Sequence, residues 1–248
     1  MTSVTADEYA WIRSSPLFRH ALEVGYTLAL VRGVVPAEVL RVMGAEPHGS
    51  CSGAEALVEE QDELFDAADD GDEPFLAGAF DVSGEGGDWT LVLLLGDGGT
   101  GIRPHVLEAL SAGGRAVAHT SNGGKPMHFF HWYEDGELRT TFEWPTARSG
   151  STPDALNSVM SEVGFDLPQG DGAPAGGDGR DVDTKAATFA LAERLTGVGV
   201  TEDLLGDAEY LLGRVPEEPA EEWTGIVIDI TDAQGGRFRR EFTREGGG

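Results

Sequence analysis

Apolar residues recur in two rhythms along the chain, one helical and one alternating, and the switches between them lay out its elements. Thr5 and Glu8 have capping-box spacing ahead of Tyr9, Ala10 and Ile12, which predicts a short first helix ending before Pro16. Residues 24–34 are rich in β-branched and aromatic side chains and predict a strand. Pro36 and Gly44 then bracket a helix, because a first turn has no use for the missing N–H and glycine accepts the left-handed backbone past a last turn. Ser52 and Glu55 repeat the capping-box spacing. Behind them Ala54, Leu57, Val58, Leu64, Phe65 and Ala68 recur at helical intervals among carboxylates, predicting a surface helix with one buried stripe.

Residues 75–83 and 88–95 predict two strands joined by a Gly-Glu-Gly-Gly turn. In the second, Trp89, Leu91, Leu93 and Leu95 point one way and Val92 and Leu94 the other, as in a central strand covered on both faces. Pro104 opens a helix carrying Val106, Leu107 and Leu110, Gly113-Gly114 stops it, and residues 115–121 form the next strand. Residues 127–133 and 138–144 flank Glu134-Asp135-Gly136-Glu137, whose Asp-Gly pair signals a hairpin. Thr152-Pro153-Asp154 caps a helix with Leu156, Val159, Met160 and Val163 on one side, and Gly164 ends it.

Periodicity stops between residues 166 and 183, where Gly, Pro, Asp and Ala dominate, and a flexible linker is expected there. Residues 184–196 and 201–212 read as two helices around Gly197-Val198-Gly199. Ile226, Ile228 and Ile230 alternate with Val227 and Asp229 as a half-buried strand, which residues 237–243 can pair across Gly235-Gly236. The expected architecture is α+β. A mainly antiparallel central sheet flanked by helices occupies residues 1–165, and a smaller helical part closed by a terminal hairpin occupies 184–248.

The 248 residues are 40% hydrophobic and 25% charged, enough for a real core, but the charge is one-sided: 17 Lys plus Arg against 44 Asp plus Glu, a net −27. Phosphate backbones and anionic membrane surfaces are bound by surplus cations, so no nucleic acid and no membrane are expected as partners. The longest apolar run, residues 91–95, falls far short of the roughly 20 residues of a membrane span. The first residues lack a basic segment followed by an apolar one, so a cytoplasmic location is expected. One cysteine, Cys51, allows neither an intrachain disulfide nor a multi-cysteine zinc site.

Gly49-Ser50-Cys51-Ser52-Gly53 has the spacing of a nucleophile elbow with cysteine as nucleophile, yet an elbow needs a strand before it and a helix after it. The residues before it read as a helix and a Pro47-containing loop, so a plain helix-entry loop is expected. His119, His128 and His131 invite a metal reading. In a regular strand, however, His128 sides with Phe130 and Trp132 while His131 sides with Phe129 and Tyr133, so no metal and no cofactor are expected. The aromatic run 129–133 reads as a covered central strand. Its sharper alternative is a small-molecule pocket in which His119, Asn122, His131 and Tyr133 supply the polar groups on a curved sheet.

Ten carboxylates fall between Glu55 and Glu73. A solvated helix face accounts for them, and the functional alternative is a docking surface for a basic protein through Glu59, Asp62, Glu63 and Asp66. Calcium binding through Asp69-Asp70-Gly71-Asp72 is weaker, because the twelve-residue loop pattern is missing. No phosphate-cradling loop and no strand-to-helix Gly-x-Gly-x-x-Gly occurs, so nucleotide use has no support.

Several phrases together resemble a known family. They are Tyr9-Ala10-Trp11, Ser15-Pro16-Leu17, the run from Val31 to Leu40, that from Leu110 to Val117, Asp135-Gly136-Glu137 ahead of the run from Arg148 to Leu156, and the run from Ala190 to Val198. The family is an actinobacterial domain of unknown function, number 6461, and the likeness covers most of residues 9–212. It implies a Streptomyces-like source and a shared fold, and it carries no catalytic residues. The tail 223–248 and the His128/His131 strand depart from the family pattern. Two functions therefore stand as expectations. The first is a non-enzymatic accessory or immunity-type protein docking a basic partner through its acidic helix. The second is a small-molecule-binding protein or enzyme of specialised metabolism with a pocket on the aromatic sheet.

Overall fold

The computed structural model describes residues 4–68, 74–97, 102–123, 129–167, 183–215, 225–231 and 237–243. The chain forms two compact units, Met1–Pro216 and Glu217–Gly248. The first is built on nine strands: β1 (Tyr26–Arg32), β2 (Glu46–Ser52), β3 (Phe75–Gly84), β4 (Gly87–Leu95), β5 (Arg115–Ser121), β6 (Phe130–Glu134), β7 (Glu137–Phe142), β8 (Arg148–Ser149) and β9 (Glu209–Val215). They make one antiparallel sheet in the order β2-β9-β3-β4-β1-β5-β6-β7-β8. Among the described residues a 3-10 helix (Ala6–Arg13) and seven α-helices cover it: α1 (Pro16–Val24), α2 (Pro36–Val42), α3 (Ala54–Asp66), α4 (Pro104–Leu110), α5 (Asn157–Val163), α6 (Thr184–Thr196) and α7 (Glu202–Asp207). The fold is α+β.

Each face of the sheet has its own core. Leu28, Leu30, Leu91 and Leu93 face Phe18 of α1, Leu57 of α3, and Phe189 and Leu191 of α6. On the opposite face Ala29, Val31, Val92 and Leu94 meet Val39 of α2 and Val106, Leu107 and Leu110 of α4. The two-faced apolar pattern of β4 is thus matched by helices on both sides, and its strand position is central. At Asp135-Gly136 the backbone takes φ 53° and 78°, the paired positive values of a tight hairpin turn joining β6 to β7.

Four elements differ from the sequence reading. Residues 16–24, to which the reading gave no helix, form α1 with Pro16 in its first turn and Ser15 Oγ accepting from Phe18 N. Residues 46–52 form a strand rather than a loop. Pro47, Gly49 and Ser50 are poor strand formers, and pairing with β9, from Glu46↔Arg214 to Ser52↔Glu209, supplies the hydrogen bonds that override them. The helix after it is capped by Gly53 rather than Ser52. Gly53 has φ 83°, and a Cβ there would sit 2.6 Å from Gly206 O, so only glycine fits. Residues 201–212 are not one helix: α7 stops at Asp207, and β9 buries Tyr210, Leu212 and Val215 beside β3.

The division of the chain falls after residue 216, later than the composition suggested. Residues 168–182, most of the expected linker, lie outside the described residues. Helix α6 begins directly after them and belongs to the first unit. Asp183 caps it by accepting from the N–H groups of Lys185 and Ala186, and Tyr9 Oη donates to Glu193 Oε2 at 2.7 Å. The second unit is the antiparallel hairpin of β10 (Gly225–Thr231) and β11 (Arg237–Thr243), in the expected pairing with Ile228 opposite Arg240.

Candidate functional site

His119, Asn122, His131 and Tyr133 do not converge. In the β5–β6 register His119 pairs with Phe130 and Ala118 with His131, so the two histidines lie on opposite faces of the sheet. His119 is fully buried under α6, with its ring 4.5 Å from that of Phe189. Its Nδ1 lies 3.2 Å from Tyr26 Oη and its Nε2 has no partner. Burial pushes its pKa down to about 3, so the ring is neutral. His131 shares the other face with Tyr133, stacks on Phe129 and holds Thr141 Oγ1 at 2.9 Å from Nδ1. Burial pushes its pKa down to about 4. The Oδ1 of Asn122 is buried without a partner. His119 belongs to a packed interior, and His131 is half-buried. His128 and the Asp69–Asp72 run lie outside the described residues, and no group of three or more potential metal ligands occurs among the described ones.

Cys51 does have a strand before it and a helix after it, contrary to the sequence reading, and still lacks what an elbow needs. It lies within β2, one residue from its end, without the positive φ of a strained turn, and its Sγ has Gly53 O, at 4.0 Å, as a neighbouring acceptor. Burial, then the charges of Glu60 and Glu209, push its thiol pKa up, opposite to the shift an activated thiolate requires.

The acidic helix is exposed along one side. Ala54, Leu57 and Gln61 face inward, and Gln61 fixes the helix to β3: its Nε2 donates to Pro74 O at 3.0 Å and its Oε1 accepts from Leu76 N at 2.7 Å. Glu55, Glu59, Asp62, Glu63 and Asp66 face solvent, joined by Phe65, which is 57% exposed. Among the described residues none of these five carboxylates has a Lys or Arg partner, and Glu60 meets only His48, at 3.7 Å.

A groove that the sequence did not reveal opens beyond the start of α3. Helix α7 abuts the start of α3, where Gly53 N donates to Ala208 O at 2.8 Å. Between α7, β3 and β9 opens a groove of about 510 Å³ with Phe80, Leu204 and Ala208 in its wall and Asp81, Asp203, Asp207 and Glu209 around it. Among the described residues these four carboxylates are also without ion pairs. They come from two stretches of chain, β3 and the continuous α7–β9 segment, and were indistinguishable from any surface acid until the pairing of β9 with β3 placed them together. An apolar strip edged by unneutralised carboxylates can hold the stem and head of Arg or Lys side chains.

The opposite end of the sheet carries a smaller cleft of about 60 Å³. Buried Tyr26, Phe130, Phe142 and Phe165 form its floor, Trp144 stands at its edge 54% exposed, and Glu143 and Lys185 add its two charges. The Lys185 ammonium donates to Ser121 Oγ at 3.4 Å. Burial, then the charge of Arg13, hold its pKa below the usual lysine range.

A family model described as a family of unknown function (DUF6461) matches residues 2–220, which leaves the β10–β11 hairpin outside the match. No curated protein matches the chain and no solved structure does.

Proposed function

The chain belongs to this family of unknown function, which supplies no activity, and from its surface we propose that it is a non-enzymatic accessory or immunity-type protein docking a basic partner. The docking surface is the α3 face with Glu59, Asp62, Glu63 and Asp66, together with the α7 groove. One observation carries this reading. Six carboxylates elsewhere in the first unit are ion-paired to arginine, at Glu38, Glu134, Glu137, Asp154, Glu162 and Asp183, whereas the nine exposed carboxylates of the α3 face and the groove have no such partner among the described residues. Unneutralised charge of one sign raises encounter rates with a cationic partner, and the exposed Phe65 gives the contact an apolar anchor.

The test is comparative capture from an actinobacterial lysate, the source the family likeness implies. Wild-type protein and the variant Glu59→Gln/Asp62→Asn/Glu63→Gln/Asp66→Asn are immobilised side by side at low salt. The expected outcome is a basic protein held by the wild type alone and released by moderate salt, as screening shortens the reach of charge to about 10 Å at 0.1 M. Identical captured sets from the two would overturn the proposal.

A further inference from the structure

The aromatic cleft lies at the other end of the sheet and is independent of the acidic docking surface. Its wall contains one cation, Lys185, and one anion, Glu143. Among the described residues neither forms an ion pair, with each other or with any other group. The half-buried ammonium of Lys185 has three donors and a single acceptor, Ser121 Oγ, at the long distance of 3.4 Å. The first N–H groups of α6 are not on offer to a ligand, because Asp183 accepts from Lys185 N and Ala186 N and is itself held by Arg13 at 2.7 Å.

Charge and size narrow the occupant. A simple anion meets Lys185 but is repelled by Glu143, and a simple cation meets the reverse. A molecule bearing both signs satisfies both walls. A volume of about 60 Å³ with an open edge admits one ring or one short branched chain, well below the roughly 300–1,000 Å³ of drug-sized sites, and the floor of four aromatic rings is apolar. We propose that the cleft binds a small zwitterion, an α-amino acid with an aromatic or branched apolar side chain. Its carboxylate is held by Lys185, its ammonium by Glu143, and its side chain lies on Phe130, Phe142 and Phe165 beside Trp144.

Isothermal titration calorimetry of the full chain with three probes tests this directly: L-phenylalanine, 3-phenylpropionate, which lacks the ammonium, and phenethylamine, which lacks the carboxylate. L-Phenylalanine is expected to bind at least about tenfold more tightly than either, the effect of losing one charged hydrogen-bond partner at a partly exposed site. Lys185→Met is expected to weaken L-phenylalanine by a similar factor while leaving phenethylamine unchanged, and Glu143→Gln to do the same for L-phenylalanine and 3-phenylpropionate respectively. Thermal melts establish that both variants are folded. Equal affinity for the three probes, or no heat from L-phenylalanine and L-leucine at millimolar concentration, overturns the proposal and leaves the acidic docking surface untouched.

Discussion

The two ends of the nine-stranded sheet handle charge in opposite ways. At the β7–β8 end, arginines tie elements together. Arg115 of β5 holds Glu134 at 2.6 Å, donates to Leu195 O in the last turn of α6 at 2.7 Å and lies over the Trp132 ring. Arg148 bonds the carbonyls of Pro145 and Pro153 as well as Asp154, and Arg194 joins α6 to Glu162 of α5. At the β2 end, α3 and α7 are held by apolar stripes, by Gln61 and by backbone bonds, and apart from Glu60 beside His48 their carboxylates make no ion pair among the described residues. The lesson is that net charge alone identifies no site. A carboxylate cluster becomes informative where its members share one surface and, among the described residues, none of them meets the arginines that hold Glu134, Asp154 and Glu162 elsewhere.

The largest expected effect of a single substitution breaks the tied end. Arg115→Ala removes one side chain, itself 24% exposed, that satisfies both Glu134, 27% exposed, and the Leu195 carbonyl, and should cost about 3 kcal/mol in urea unfolding. A loss below about 1 kcal/mol would show that the arginine network is decoration.

Next in size is acid sensitivity. His119 and His131 have folded pKa values of about 3 and about 4, below the free value near 6.5, so the unfolded chain binds more protons as pH falls. The stability from keeping these rings neutral is whole above pH 6.5 and is lost from there down toward pH 4, by about 1.4 kcal/mol per pH unit for each ring. His131→Gln, which keeps a hydrogen-bonding group facing Thr141, should roughly halve the slope between pH 6.5 and 5; an unchanged slope removes His131 from the account.

Smaller still is the response of the open end. The fourfold neutralisation of α3 should leave unfolding free energy within about 1 kcal/mol of wild type, on the stabilising side because like charges three and four residues apart repel, while binding to the basic partner is lost. A large destabilisation would mean the carboxylates are structural after all. Phe65→Ser should change stability by no more than about 0.5 kcal/mol and weaken partner binding several-fold, measured by the same two assays.

Much of this contrast was hidden in the sequence, although most elements were not. The bounds of β5, the Asp135-Gly136 hairpin, the proline-led starts of α2 and α4 and the two-faced β4 all follow from residues within one element. The acidic face of α3 was equally legible, since helical spacing alone puts Glu59, Asp62, Glu63 and Asp66 outside. The pair β2–β9 was not. Glu46–Ser52 has little strand propensity, and Leu204, Leu205, Leu211 and Leu212 sit at spacings that suit one long helix. Parity along residues 129–133 rightly put His131 with Tyr133, but which face His119 takes depends on how β5 pairs with β6.

Periodicity, caps and turn residues are local, acting over the few residues that one hydrogen-bonded turn or one pleat spans, and so the sequence alone determined most of the helices though not α1 or the end of α7, the central strands, the α+β class and the surplus of negative charge. Register and proximity are long-range, fixed by which distant backbone groups satisfy one another once the chain is compact. Tertiary structure alone therefore decided that β9 stabilises β2, that Asp81, Asp203, Asp207 and Glu209 ring one groove, that His119 and His131 are parted by the sheet, and that Lys185 and Glu143 share a cleft without pairing.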